Sequence, residues 1–207
     1  MGKMTAAVVL VVAVTAIAAA AVLRGGSRDA AHAQRANRDA VKVHGEWTIE
    51  VRTKTGAVVE RRRFHNDLVP GGASALSQFL GRGKTVGRWQ ISMPPAGVCG
   101  AFFCNIREPG AALGVLPPAD TGQDLTVSIP PTGVDAGKLV LHGTVAATSV
   151  GAVTSVNTLV QECSLADGTG ADCAPMGYVT FSARVLGTPI AVQPTQQIAA
   201  TVRFSFS

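Results

Sequence analysis

Hydrophobic and polar residues alternate along most of the chain after residue 41, with the two-residue period of half-buried β-strands. Gly45 to Arg52 alternates cleanly, a Thr-Lys-Thr-Gly turn follows, and a second run extends from Val58 to Phe64. This pattern predicts a β-hairpin. The most regular run is the last, Gln196 to Ser207, where five alternate apolar residues predict one inward face. They are Ile198, Ala200, Val202, Phe204 and Phe206.

The period changes to that of a helix at one place, where Val69, Ala73, Leu76 and Leu80 precede Gly81. This spacing predicts one short helix over about residues 70–80. Further strand-like runs cover 89–93, 125–129, 138–147, 152–160 and 178–185. In the 178–185 run the residues expected to share one face are Val179, Phe181, Ala183 and Val185. About eight strands and one helix predict a mainly β protein, an antiparallel β-sandwich.

Residues 94–123 interrupt this regular pattern. They contain five prolines, several glycines and a pair of cysteines. Proline cannot donate to a strand ladder and fixes its own φ angle, so it favours turns and loops. We therefore expect a long proline-rich loop, held by a small disulfide.

The N-terminus has a different pattern again. Met4 to Leu23 is a run of twenty uncharged residues between Lys3 and Arg24. It predicts a hydrophobic helix about 30 Å long that precedes the β domain and could span a bilayer. The sequence therefore predicts a signal peptide or signal-anchor helix in residues 1–23, a polar linker in 24–40 and a folded domain in 41–207. If the helix stays uncleaved, residues 4–23 make the membrane a partner.

Cleavage and retention of this segment both have support. Ala31-His32-Ala33 before Gln34 fits a signal-peptidase site, but it lies ten residues beyond the apolar run. Arginines at 24, 28, 35 and 38 would favour a cytoplasmic C-terminal side if the helix were kept. The flanking residues leave the choice open.

Four cysteines form two local pairs, Cys99 with Cys104 and Cys163 with Cys173. An even count in a targeted chain predicts two disulfides and an oxidising compartment. The alternative is four reduced thiols in a cytoplasmic domain. We expect the periplasmic or extracellular face of the bacterial cell envelope, with the protein anchored in the inner membrane or secreted after cleavage near Ala33.

Charge excludes a general role in binding nucleic acid. Of the net charge of +5, residues 1–40 carry +3, so the domain is close to neutral. One basic concentration stands out, and its residues are Arg61, Arg62, Arg63, Arg82, Lys84 and Arg88. It predicts a contact surface for anionic lipid headgroups or polysaccharide. The alternative is a charged strand protected from edge-to-edge pairing.

Motifs for chemistry are weak. There is no Gly-x-Ser-x-Gly elbow, and neither cysteine pair has the spacing or the histidine neighbours of a zinc site. His44 and His65 flank the predicted hairpin and could face each other across it, which would allow a metal or catalytic role, but we expect them to be solvated. The Asp167–Asp172 loop is too short to supply all the ligands of Ca²⁺. We predict no catalytic residues, no metal and no cofactor.

Two stretches resemble uncharacterised bacterial and phage structural proteins. In Gly45–Gly81 a Trp-containing hairpin precedes Asn-Asp-Leu at 66–68, Gly-Gly-Ala at 71–73 and a short helix. The C-terminal half, with Pro-Ile-Ala-Val at 189–192 and a Phe-Ser-Phe-Ser terminus, looks like the β-sandwich modules of phage virion and surface proteins. The resemblance implies a structural protein and supplies no functional residue. The N-terminal hydrophobic segment departs from virion proteins and favours a cellular envelope protein.

These observations predict a non-enzymatic structural or binding module of the cell envelope. One alternative is a subunit of an extracellular filament that assembles by strand exchange, with protein partners or further copies added through strand edges. Another is an envelope enzyme whose site the sequence does not display.

Overall fold

The computed structural model describes residues 41–94, 98–99, 104–109, 121–122, 124–170, 173 and 177–207. Contacts separate the chain into Met1–Lys42 and Val43–Ser207, and the fold below is that of the second unit. The predicted signal or anchor segment, its cleavage site and the polar linker lie outside the described residues, as does most of the 94–123 loop. No helix in these described ranges is long and apolar enough to cross a membrane.

The part of the chain that the structure describes is mainly β with one short helix, as predicted. The strands are β1 (Val43–Arg52), β2 (Val58–Leu68), β3 (Thr85–Met93), β4 (Cys104–Arg107), β5 (Thr121–Gly122), β6 (Thr126–Ser128), β7 (Leu139–Ala146), β8 (Gly151–Cys163), β9 (Tyr178–Val192) and β10 (Gln197–Phe206). The helix α1 (Pro70–Leu80) coincides with the predicted one.

Two strands lie in the segment predicted as a loop. β4 is four residues long and β5 is two, too short to show an alternating pattern between the flanking prolines. β4 is instead defined by its antiparallel pairing with β3, in which Ile91 lies opposite Ile106. Tertiary pairing decides the structure here.

The ten strands of the described ranges form one hydrogen-bonded sheet, in the order β5-β4-β3-β8-β9-β2-β1-β10-β7-β6. Neighbours are antiparallel except β4 and β5. The C-terminal strand β10 is central in its half of the sheet, paired along its length with β1 on one side and β7 on the other. Its predicted place as an integral strand is confirmed.

The sheet curls until distant strands meet through their side chains. β3 and β10 are five places apart, which in a flat sheet would separate them by about 24 Å at 4.8 Å per strand. The ring centroids of Trp89 and Phe204 are nevertheless 6.2 Å apart. Phe181 of β9 packs edge-on against both rings at 5.2 Å. Because the hydrogen-bonded order is continuous, a division into two separate sheets is not confirmed.

Alternation assigns the inner face as predicted at most positions. Trp47, Ile49 and Val51 of β1 are buried, and Ile198, Ala200, Val202 and Phe204 of β10 are at most 1% exposed. Phe206, Val185 and Ile129, which is 66% exposed, differ from the prediction. Phe206 is 45% exposed because it ends its strand, and Val185 is 78% exposed because β9 leaves its register with β8 immediately after it.

The helix packs closely on β9 because Gly72 has no side chain. A Cβ atom at this position would lie 2.0 Å from the carbonyl oxygen of Phe181, which is part of the β9 backbone. Ala75, on the same side of the helix, is fully buried. Gly72 is therefore a packing requirement of α1 against the sheet.

Both predicted disulfides are present. Cys99 bonds Cys104 at the start of β4, and Cys163 bonds Cys173 after the end of β8. All four cysteines in the sequence are thus used. Two disulfides point to an oxidising, extracytoplasmic location.

The aromatic contact predicts unequal effects for two phenylalanines of β10. Phe204→Ala should lower the free energy of unfolding by about 3 to 5 kcal/mol, because Phe204 is buried between Trp89 and Phe181. Phe206→Ala is the matched control and should cost under about 1 kcal/mol, since nearly half of its surface is already exposed. Urea unfolding followed by tryptophan fluorescence measures both. Equal losses in the two variants would contradict the proposed packing.

A candidate ligand-binding groove on the outer face of the sheet

A polar groove of about 390 Å³ lies on the outer face of β2, β1, β10 and β7. The loop between β6 and β7 contributes one wall, through Val134, Asp135 and Lys138. The strand residues that line the groove are Glu46, Thr48, Glu50, Arg52, Arg61, Arg63, His142, Ala199, Thr201 and Arg203. Its size falls within the range of about 300 to 1,000 Å³ typical of small-molecule sites.

Strand register places these residues in rows across the sheet. Arg63, Thr48, Thr201 and His142 face one another in turn across β2, β1, β10 and β7. The rows on either side centre on Glu46 and Glu50, because side chains on one face of a strand recur every second residue. The outward positions of four strands therefore form one continuous surface.

One side of the groove is a carboxylate shared by two arginines. Glu50 accepts hydrogen bonds from Arg52 Nε at 2.9 Å and from Arg61 Nε at 2.6 Å. The hydrogen bond from Arg52, reinforced by Arg61 and by the charge of both, holds the pKa of Glu50 below its usual range against the opposing effect of burial. This cluster has a surplus of one positive charge.

The opposite wall repeats this arrangement. Asp135 of the β6–β7 loop accepts from Arg203 Nε at 2.9 Å and from Lys138 Nζ at 3.2 Å. The Arg203 hydrogen bond is the main reason that the pKa of Asp135 lies below its ordinary value. Arg203 of β10 thereby ties the loop to the sheet, and this cluster also has one cation in excess.

The floor between the two clusters is built from hydroxyl groups and an imidazole. Thr201 lies opposite Thr48, and its Oγ1 is 2.9 Å from His142 Nδ1. Arg63 lies beside Thr48 in the register and makes no ion pair within the described residues. Five cations against three carboxylates give the lining a net charge of +2 with His142 neutral. Such a site suits an anion that also carries hydroxyl groups.

The structure brings together only part of the predicted basic concentration. Arg61 and Arg63 line the groove, whereas Arg62 lies on the opposite face of β2 and pairs with Glu60 at 2.7 Å. This split follows from strand alternation, since the three arginines are consecutive.

The other three predicted cations lie at α1 and β3. Arg82 and Lys84 are in the turn after the helix. Arg88 is on β3 beside Glu108, whose carboxylate accepts a 2.6 Å hydrogen bond from the Trp89 backbone N–H. Burial raises the pKa of Glu108, and the Arg88 charge partly offsets that effect. β8 and β9 separate this group from β2 in the sheet.

Of the residues that line the groove, only Arg61 and Arg63 were predicted as site residues. The sequence did not point to the cations Arg52, Lys138 and Arg203 or to the carboxylates Glu50 and Asp135 as members of the site. Arg203 and Thr201 were visible as outward residues of the last strand, and this was the one available signal. Their neighbours on β2 are about 140 residues away in the chain, and nothing local indicates that β1 separates the two strands.

Comparison with protein-family profiles, with curated proteins and with solved structures finds no match. The likeness to phage and bacterial surface proteins therefore stays a prediction. His44 and His65 are diagonal neighbours on the outer face, because His65 lies opposite Glu46. Asp167 accepts a hydrogen bond from the Ser164 backbone N–H, while Asp172 lies outside the described residues. No group of three or more metal-ligating side chains occurs in the part of the chain described.

The arginine pair at Glu50 predicts a pH-dependent contribution to stability. Glu50→Gln should lower the free energy of unfolding by about 1 kcal/mol at pH 7, a value that allows for the solvent exposure of both arginines. Because the folded pKa lies below the ordinary value of about 4.3, the difference should persist above that pH and vanish as pH falls through the folded pKa.

Thermal unfolding of both proteins between pH 7 and pH 2.5 tests this expectation. Glu60→Gln removes a more exposed carboxylate that pairs with Arg62, and serves as the control. A Glu50→Gln effect that grew towards acid pH would show that the carboxylate is not stabilised by its arginines.

Proposed function

We propose that the protein is an exported binding module of the bacterial cell envelope that holds an acidic oligosaccharide in the outer groove. The observation that carries this proposal is the pair of carboxylates, Glu50 and Asp135, that each share two cations around a floor of threonine hydroxyls. Each carboxylate holds two cations in place and neutralises only one of the two positive charges, so one positive charge in each cluster stays available to a ligand.

The shape of the site favours a sugar over a lipid surface. The β6–β7 loop and the two ionic clusters flank the floor, so the groove is concave. A membrane surface would require the cations on a protruding face. A uronic acid offers one carboxylate for Arg63 and several hydroxyl groups for Thr48, Thr201 and His142.

The rest of the molecule fits a scaffold for such a site. The inner faces of the curled sheet pack on each other in the manner of a β-sandwich, which leaves the outer face free to carry function. The two disulfides fix a loop at β4 and another after β8, on the half of the sheet away from the groove. We place the module on the periplasmic or extracellular side, anchored through residues 4–23 or released after cleavage near Ala33.

A filament subunit that donates its terminal strand has less support. β10 already has both edges paired within its own domain, so it could serve a second subunit only after unfolding half of the sheet. An enzymatic role for the groove has less support too, because Glu50 and Asp135 are held ionised by their neighbouring cations and so are poor proton donors at neutral pH.

Trigalacturonate should bind the full-length protein purified in a nonionic detergent, as measured by titration calorimetry. Arg63→Ala should weaken binding about tenfold, 1.4 kcal/mol, because its guanidinium has no competing ion pair among the described residues. Thr201→Val, which removes one hydroxyl and keeps the shape, should weaken binding about three- to tenfold.

Lys54→Ala is the matched control, since Lys54 is an exposed cation in the β1–β2 turn outside the groove, and it should bind within about twofold of the parent. The neutral trisaccharide maltotriose tests the need for charge. Equal affinity for maltotriose, or unchanged affinity in both groove variants, would remove the basis of the proposal.

The proposed compartment has its own test. Alkaline phosphatase, which is active only where its disulfides form, is fused after Ser207 and expressed in a bacterium. We expect an active fusion, because the domain itself contains two disulfides. An inactive fusion of full length, alongside an active cytoplasmic reporter at the same position, would place the domain in the cytoplasm.

A further inference from the structure

One edge of β2 is unpaired along most of its length. On its β1 side the strand pairs from Val58 to Asn66. On its β9 side it pairs at two positions only, Asp67 with Ala183 and Leu68 with Ser182. Among the described residues, the backbone groups of residues 58–66 that point towards β9 therefore have no strand partner. Arg184 occupies the first open position, donating from Nη1 to the His65 carbonyl at 3.1 Å.

β9 turns away from β2 over the same stretch. Its pairing with β8 jumps from Val185 opposite Ser155 to Ile190 opposite Val153, so Leu186–Pro189 bulges opposite one residue. A cleft of about 170 Å³ lies between the strands, with Arg62, Arg63 and Phe64 on one side and Arg184 and Leu186 to Thr188 on the other. The cleft is lined by the open edge and by apolar and cationic side chains.

The charge of this edge selects its partner. Arg61 and Arg63 are on the outer face, Arg62 is on the inner face and Arg184 is at the closed end. A second copy of the same edge would set arginine against arginine, which destabilises a strand pair. An acidic strand would instead find cations on both faces. Phe64, half-buried and stacked on Trp47, offers an apolar contact on the inner face.

We propose that the β2 edge accepts one extended acidic segment of a partner protein, added as a strand between β2 and β9. The backbone of the segment pairs with residues 59–65. Its outward side chains are acidic and lie near Arg61 and Arg63, and its inward side chains are apolar and lie near Phe64 and Leu186. This site shares Arg61 and Arg63 with the oligosaccharide groove, but it is distinguished from the groove by Arg62, which lines the cleft alone, and by Thr201, which lines the groove alone.

The test uses full-length protein in nonionic detergent and a fluorescent seven-residue peptide in which Glu and Val alternate. We expect saturable binding by anisotropy. We also expect slower hydrogen–deuterium exchange in residues 59–65, because strand addition gives their free N–H groups a partner. A Lys/Val peptide of the same pattern should bind at least about tenfold more weakly, 1.4 kcal/mol.

Arg62→Glu replaces a cation at the open edge, outside the groove, with a carboxylate that repels the negatively charged peptide as a whole. It should weaken Glu/Val binding about tenfold or more and leave trigalacturonate binding unchanged. Thr201→Val should weaken trigalacturonate binding and leave Glu/Val binding unchanged. Lys54→Glu, an equal charge reversal in the exposed turn, should leave peptide affinity within about twofold.

Three outcomes would overturn the inference. They are no saturable binding of the Glu/Val peptide, equal binding of the Lys/Val peptide, and binding that leaves exchange of residues 59–65 unchanged. The last would mean a charge contact without strand addition. Because the two sites respond to different variants, loss of one proposal leaves the other standing.

Discussion

The contact of Trp89, Phe181 and Phe204 is the interaction on which the rest of the structure depends. These three rings belong to β3, β9 and β10, which the sheet keeps up to five strands apart. With only ten aromatic residues in the chain, three of them meet at this one point of the interior. Their packing stabilises the curled form of the sheet. In that form the inner face is buried and the outer face, which carries the groove, is exposed. β10 serves both surfaces, with Phe204 inward and Arg203 outward.

The groove in turn depends on strand register more than on any single side chain. Glu50 meets Arg61 because β1 and β2 pair in one register, and Thr201 meets His142 because β10 and β7 pair in another. A slip of one residue in either ladder would send these polar groups to the interior and bring valine and phenylalanine out. The hydrophobic inner face therefore specifies the polar outer face, and the two cannot be optimised separately.

This dependence explains what the sequence could predict. Alternation gave the faces of β1 and β10 and the period change gave α1, because both patterns are local. Strand order is not local. The sequence therefore could not predict that Arg63 and Arg203 line one groove, or that Arg82, Lys84 and Arg88 lie away from it. β4 was too short to show a pattern, and the exposure of Val185 follows from a bulge that only the pairing of β9 with β8 reveals.

The cleft between β2 and β9 follows from the same curl. At its closed end the two strands are tied by a buried hydrogen-bond chain, in which Asn66 Nδ2 donates to Ser182 Oγ at 2.7 Å and Ser182 Oγ meets Thr158 Oγ1 of β8 at 2.5 Å. Beyond this tie β2 follows β1 while β9 follows β8, and the two halves of the sheet diverge. Buried polar groups are costly to separate, so the tie fixes where divergence begins. The open edge between β2 and β9 is thus a consequence of how this sheet curls. The arginines of β2 lie along that edge, where their like charges disfavour edge-to-edge pairing with a second copy.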